Sequence, residues 1–281
     1  MPTGTRKPAF AGLFYPAGAQ ELGQTIDRLL GAAPPAAGRP LGLVAPHAGY
    51  IYSGATAAAA YRLLMGAEDI HRVVLLGPAH RARVQGVAAP AAEAFETPLG
   101  AIPLDRGTIS ELAALPSVEI SDAAHRREHS LEVHLPFLQR TLGDFTLVPL
   151  VAGGATPSEV RELLSIVEDD PNTLIVVSTD LSHFHDYETA RTKDRATAQA
   201  IESLDPDSIG PYEACGCRPL GGALLMARDR GLSLRRLDLR NSGDTAGDRD
   251  RVVGYGAWAL ETSPSSECEI NPGPEHAPGA S

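Results

Sequence analysis

Leu43-Val44-Ala45-Pro46-His47, Val73-Val74-Leu75-Leu76-Gly77-Pro78-Ala79-His80 and Ile175-Val176-Val177-Ser178-Thr179-Asp180-Leu181-Ser182-His183 share one pattern: an apolar run of strand length breaks at a turn that carries a histidine. Runs apolar at every position belong to strands covered on both faces. In an open α/β sheet, ligands bind outside the carboxyl ends of the strands. Histidines just past three such ends are therefore expected to converge although they lie far apart in the chain.

Outward from these runs, strands are expected near residues 41–45, 72–76, 145–151 and 173–178, and helices near 54–64, 157–168, 190–203 and 220–229. Alternation of the two types predicts βαβ units, hence an α/β fold with a central, mainly parallel sheet flanked by helices. Leu232–Leu239 alternates with period two and Val252–Leu260 is a second apolar run, so two late strands are expected to join the same sheet, with 242–251 as an exposed loop between them. No internal repeat or linker divides the chain, which predicts one domain over residues 1–262. Residues 263–281 are rich in Ser, Pro, Gly and Glu and read as a disordered tail, so Cys268 and His276 carry little weight.

The chain has 281 residues and a formal charge of −11, with no run of Lys or Arg. That argues against nucleic acid and anionic lipid as partners, because both are bound through clustered cations. No apolar stretch approaches the roughly 20 residues of a membrane span, and Met1–Lys7 has no signal-peptide character, so a cytoplasmic protein is expected. Three cysteines do not make a disulfide framework, and Cys215 and Cys217 are too close in sequence for an ordinary structural bridge; reduced thiols are expected.

Several residues bear chemistry. His47 follows Pro46 in a sharp turn beside small residues that leave room for a metal or a substrate; His80 follows Gly77-Pro78 in a similar turn. Arg81 and Arg83 read as a solvated loop, with an anion site as the alternative. Asp180 and His183 lie three apart, close enough for the carboxylate to fix the imidazole tautomer in a general acid/base pair; capping of the next helix is the other reading of Asp180. His185 and Asp186 are expected to be exposed. Glu128-His129-Ser130-Leu131-Glu132-Val133-His134-Leu135-Pro136 packs two histidines and two carboxylates ahead of a helix that Pro136 starts, without the spacing of helical zinc proteases. His129 is the candidate for the site, and His134 and Glu132 are expected to form a structural pair. Cys215, in a run of small residues leading into a helix, is expected to gain thiolate character from the helix amides.

These segments, together with Lys7-Pro8-Ala9-Phe10-Ala11-Gly12-Leu13-Phe14-Tyr15-Pro16, resemble the Memo family in order and spacing over about Arg6 to Leu260. The resemblance implies a fold like that of the class III extradiol dioxygenases, and the opening run resembles the bacterial form, protein B of the AmmeMemoRadiSam set. Radical SAM and AMMECR-type proteins are then the implied partners. Carried over motif by motif, it implies His47, His80 and Cys215 as metal ligands, Asp180 and His183 as polar groups beside the metal, and His129 near substrate. The dioxygenases have a carboxylate where Cys215 stands, and Cys217 places a second thiol two residues away. A thiolate favours a soft or redox metal.

The expected function is that of a redox-metal protein, with iron as Fe(II) and copper or zinc as alternatives, working as a non-haem iron oxidoreductase of dioxygenase type in which His183 and Asp180 move protons. Two further readings stand beside it: a non-catalytic metal- or peptide-binding adaptor, and a zinc-dependent hydrolase.

Overall fold

In the computed structural model, which describes residues 4–35 and 38–263, the apolar runs are strands. In chain order the first elements are β1 (Thr5–Arg6), α1 (Ala19–Ala32), β2 (Gly42–Ala45), α2 (Tyr50–Tyr61), β3 (Arg72–Pro78), β4 (Val87–Ala89), β5 (Ala94–Thr97), β6 (Gly100–Pro103), α3 (Arg106–Leu112) and β7 (Val118–Ile120). There follow α4 (Asp122–Arg126), α5 (His129–Glu132), α6 (Leu135–Thr141), β8 (Thr146–Ala152), α7 (Pro157–Leu164), β9 (Thr173–Ser178), β10 (His183–His185), α8 (Tyr187–Glu202), α9 (Cys217–Asp229), β11 (Leu232–Asn241) and β12 (Val252–Thr262).

Nine of these strands form one sheet in the order β10-β12-β2-β9-β3-β8-β4-β7, with β11 also paired to β12. The centre, β2-β9-β3-β8, is parallel. Its strands are buried almost throughout, as double-sided cover requires. α2 packs on β12 and β11, while α9 packs on β9 and β3 and is backed by α7.

The sheet is mixed rather than mainly parallel. β12 runs antiparallel to β2, β10 and β11, and β4 runs antiparallel to β8. The alternation of Leu232–Leu239 reflects this, because only one face of β11 is buried. The late strands return through the short turn at Ser242–Asp244, and most of the 242–251 connection is exposed, as expected; Ser242 itself is buried.

Helix boundaries follow local chemistry that apolar periodicity does not register. α2 begins at Tyr50, directly after Gly49, four residues before its expected start. α8 begins at Tyr187 because the Asp186 side chain accepts the Thr189 N–H as an N-cap. Asp186 is exposed and His185 half-buried. α7 opens on a Thr156/Glu159 capping box and ends at Leu164, short of residue 168. The helix expected at Pro136 is α6, with the proline in its first turn. Residues 264–281, with Cys268 and His276, lie outside the described residues.

Candidate metal centre

Because β2, β9 and β3 are adjacent and parallel, their carboxyl ends share one edge of the sheet, and the turns after them carry His47, Asp180–His183 and His80. α5 approaches the same edge at β3 and brings His129. Gly77 permits that approach: a Cβ there would sit 2.7 Å from Ser130 Oγ and 2.8 Å from Leu131 Cδ2. Ser130 Oγ donates to the Pro78 carbonyl at 2.9 Å, tying α5 to the strand end.

His47, His80 and His129 each offer a ring nitrogen, and the three lie within 4.8 Å of one another. Their ring centroids are 5.2, 5.4 and 4.5 Å apart for the 47–80, 47–129 and 80–129 pairs. His47 is buried, His129 half-buried, and His80 faces solvent.

Hydrogen bonding orients three rings and sets the tautomers of His47 and His134. Ser178 Oγ donates its one proton to the Ser130 carbonyl at 2.6 Å. The bonds it shares with His47 Nδ1 at 2.6 Å and His134 Nε2 at 2.9 Å therefore carry the imidazole protons. His47 is thus the Nδ1–H tautomer, with its Nε2 lone pair directed to the site. His134 is the Nε2–H tautomer and accepts at Nδ1 from the Tyr61 hydroxyl at 2.8 Å. His80 donates from Nδ1 to Glu128 Oε1 at 2.9 Å, and its backbone N–H donates to Glu128 Oε2 at 2.6 Å, leaving Nε2 free. This is the carboxylate–imidazole support common to metal-bound histidines. Despite burial, the bonds from His80 and Ser130 hold the Glu128 carboxyl down to about 2.

Burial, followed by the neighbouring imidazoles, keeps His47 well below the ordinary histidine range. Burial and the His80 charge hold His129 at about 4. Its Nδ1 is buried without a hydrogen bond, although Glu128 Oε1 lies 3.3 Å away. Close-set imidazoles, with His47 and His129 held neutral and an orphaned nitrogen among them, fit a transition-metal ion.

Cys215 meets this group at His47, with Sγ 3.3 Å from Nε2. Two donors on one tetrahedral metal stand about 3.5 Å apart. The thiol sits at the end of β9, where it also accepts from the Asp180 N–H at 3.3 Å. Gly216 makes this close approach feasible, since a Cβ there would lie 2.5 Å from the Ser178 carbonyl oxygen. Burial and the adjacent Asp180 charge push the thiol up to about 12, against the direction expected from the amides of α9, which begins only at Cys217, so a bound cation is what would favour the thiolate. Cys217 is half-buried.

Asp180 neither caps a helix nor pairs with His183. Its Oδ1 accepts the His47 N–H at 2.8 Å, and burial raises the carboxyl to about 7. The chain turns away after it: Leu181 N–H bonds the Gly254 carbonyl and Ser182 N–H bonds Asp194, which carries His183 onto β10. His183 is half-buried there, and burial lowers its pKa.

The expected His134–Glu132 pair does not form either. While His134 supports His47 through Ser178, buried Glu132 pairs with Arg6 and accepts from the N–H groups of Ala9 and Phe10 and from the Tyr15 hydroxyl. It thereby fixes the amino-terminal segment over the site, where Phe10 and Phe14 pack on His129. Arg81 and Arg83 are exposed, as a solvated loop requires.

Sequence reading missed Glu128 and Ser178. Their signals were present, a carboxylate beside His129 and a lone hydroxyl closing an apolar strand, but what each supports is set by the fold.

The family model described as Memo-like protein matches residues 6–259. A MEMO1 family protein of Ignicoccus hospitalis is 37% identical over 276 residues, covering 90% of this chain and 97% of the relative. Others from Aquifex aeolicus and Thermotoga maritima are 35% identical over 265 and 272 residues, each covering 89% of this chain and 97% of the relative. Among the described residues no helix is long and apolar enough to cross a membrane. With the match running through every segment that builds the histidine cluster, the chain belongs to the Memo family.

Proposed function

We propose that this protein binds one transition-metal ion on His47, His80 and His129, with Cys215 as a further donor beside His47, and that it works as a non-haem iron oxidoreductase. The observation that carries the reading is the support of the rings: Ser178 takes the Nδ1–H of His47 and Glu128 that of His80, so that each ring turns its Nε2 toward the other and toward His129. Imidazole with thiolate suits iron, copper or zinc better than hard ions. When bound, the metal would supply a Lewis-acidic, redox-active centre.

Around that centre the protein's own groups handle protons and access. Asp180, its carboxyl raised to about 7 by burial, has Oδ2 4.0 Å from His47 Nε2 and stands beside the centre as a group that can take or give a proton to a bound ligand. His183, neutral and half-buried, is assigned a separate proton-transfer role. Phe10 and Phe14 shield the His129 side from water. The resemblance of Lys7–Pro16 to the bacterial form supports a cytoplasmic protein with radical SAM and AMMECR-type partners.

A zinc hydrolase is the second reading, favoured by the three-histidine donor set and the raised Asp180 carboxyl. Anaerobic iron loading followed by nitric oxide and EPR separates the readings, with Cys215→Ala in parallel. Stoichiometric iron that binds nitric oxide and changes its signal in Cys215→Ala supports the oxidoreductase. Selective uptake of zinc supports the hydrolase, and no uptake of any metal leaves the non-catalytic peptide-binding adaptor.

A further inference from the structure

A cavity of about 430 Å³ opens directly on His129 and Asp180. Phe14, Tyr52 and Tyr255 supply aromatic lining, and Arg251, on the loop leading into β12, also lines the cavity.

Two contacts hold Arg251 there. Its backbone N–H, like that of Asp250, donates to Asp248 Oδ1, which sets the turn. Its guanidinium stands 5.0 Å over the ring of Phe184. Phe184 is itself exposed and has φ 62°, a left-handed conformation rare for a bulky side chain, at the irregular pairing of β10 with β12. Among the described residues no carboxylate lies within 4.0 Å of the Arg251 guanidinium. In a chain of net charge −11 an arginine held at a cavity wall without a carboxylate partner is available to an incoming anion.

We infer that Arg251 selects the ligand of this cleft, and that the ligand is a small organic monoanion whose carboxylate pairs with Arg251 while its aromatic or apolar body lies against Phe14, Tyr52 and Tyr255. This rests on the metal-centre reading only in that the far end of the ligand would face His129. The single charge follows from Asp248, which lines the same cavity and opposes a second negative charge on the ligand. The planar guanidinium fork matches a carboxylate bidentately.

The test compares benzoate, benzamide and phenyl phosphate by titration calorimetry on the full-length protein, with and without added zinc, for the wild type and Arg251→Gln. Arg251 is exposed, so the substitution leaves the core intact. Benzoate is expected to bind about tenfold or more tighter than benzamide, as a charge-assisted pair implies, and Arg251→Gln is expected to abolish the difference while zinc stoichiometry stays unchanged. Equal affinity of the wild type for the two, absence of benzoate binding, discrimination surviving in Arg251→Gln, or a preference for phenyl phosphate overturns the inference. Failure of the metal-centre reading is registered separately, as absence of zinc uptake, and the benzoate-to-benzamide ratio is still measured in the same protein.

Discussion

Glu128 grips His80 from two directions: Oε1 takes the ring proton at Nδ1 at 2.9 Å and Oε2 takes the backbone N–H at 2.6 Å. One buried carboxylate therefore fixes both where the turn after β3 lies and which ring nitrogen faces the cluster. Glu128→Gln keeps the shape but loses the charge and one acceptor. Metal affinity is expected to fall by roughly 10–100-fold, the usual cost of losing an outer carboxylate. A competitive chelator titration reads this directly, and unchanged affinity would remove Glu128 from the site.

Ser178 joins three groups through one oxygen, and its loss leaves the His47 Nδ1–H, the His134 Nε2–H and the Ser130 carbonyl unpaired. Ser178→Ala is expected to cost roughly 3 kcal/mol, because each orphaned buried group carries a desolvation penalty. Urea unfolding measures the loss. A cost near that of an ordinary surface change would show that the network does not lock the His47 tautomer.

Gly216→Ala is expected to destabilise by about 1–3 kcal/mol and to move Cys215 away from His47, since the new Cβ would meet the Ser178 carbonyl oxygen at 2.5 Å and Thr179 Cβ at 2.7 Å. Cobalt substitution provides the readout. A thiolate-to-cobalt absorption band is expected in the wild type and should weaken in the variant; equal intensity in both contradicts the close-packing account.

Acid should unfold the protein through its buried imidazoles. Burial holds His134 at about 3 and His125 at about 4, against an ordinary value of 6.5. Below about pH 6.5 the unfolded chain takes up protons that the fold excludes, so this stability is whole above that pH and is lost as pH falls toward 4 and below. Asp180 acts with the opposite sign: its carboxyl, raised to about 7, favours the fold at low pH, and that contribution declines between about pH 4 and 7. The two histidines outweigh the one aspartate, so the thermal midpoint is expected to drop between pH 6.5 and 4, with a shallower drop in His134→Gln. A flat profile in the wild type would contradict the buried neutral assignment.

The sheet centre was legible because β2, β3 and β9 are apolar at nearly every position, a pattern that only a doubly covered strand tolerates, and because each run stops at a Pro or a polar turn. The convergence of His47 and His80 followed from that topology. The antiparallel flanks were not legible, since strand direction depends on which edges meet. Pairings were the least accessible part. Asp180 lies three residues from His183 yet bonds the backbone of His47, 133 positions earlier. Glu132 lies two residues from His134 yet holds the amino-terminal segment. Sequence proximity favoured the wrong partner in both cases because turns point successive side chains in different directions.

If His47, His80 and His129 hold one ion together, removing any one of the three rings must weaken its binding. Equilibrium zinc titration of the wild type beside His47→Ala, His80→Ala and His129→Ala, with circular dichroism to confirm folding, tests it most directly. One equivalent in the wild type and at least about a hundredfold weaker binding in each folded variant is the predicted result. Wild-type affinity in folded His129→Ala would contradict the claim and return that ring to the substrate side of the cleft.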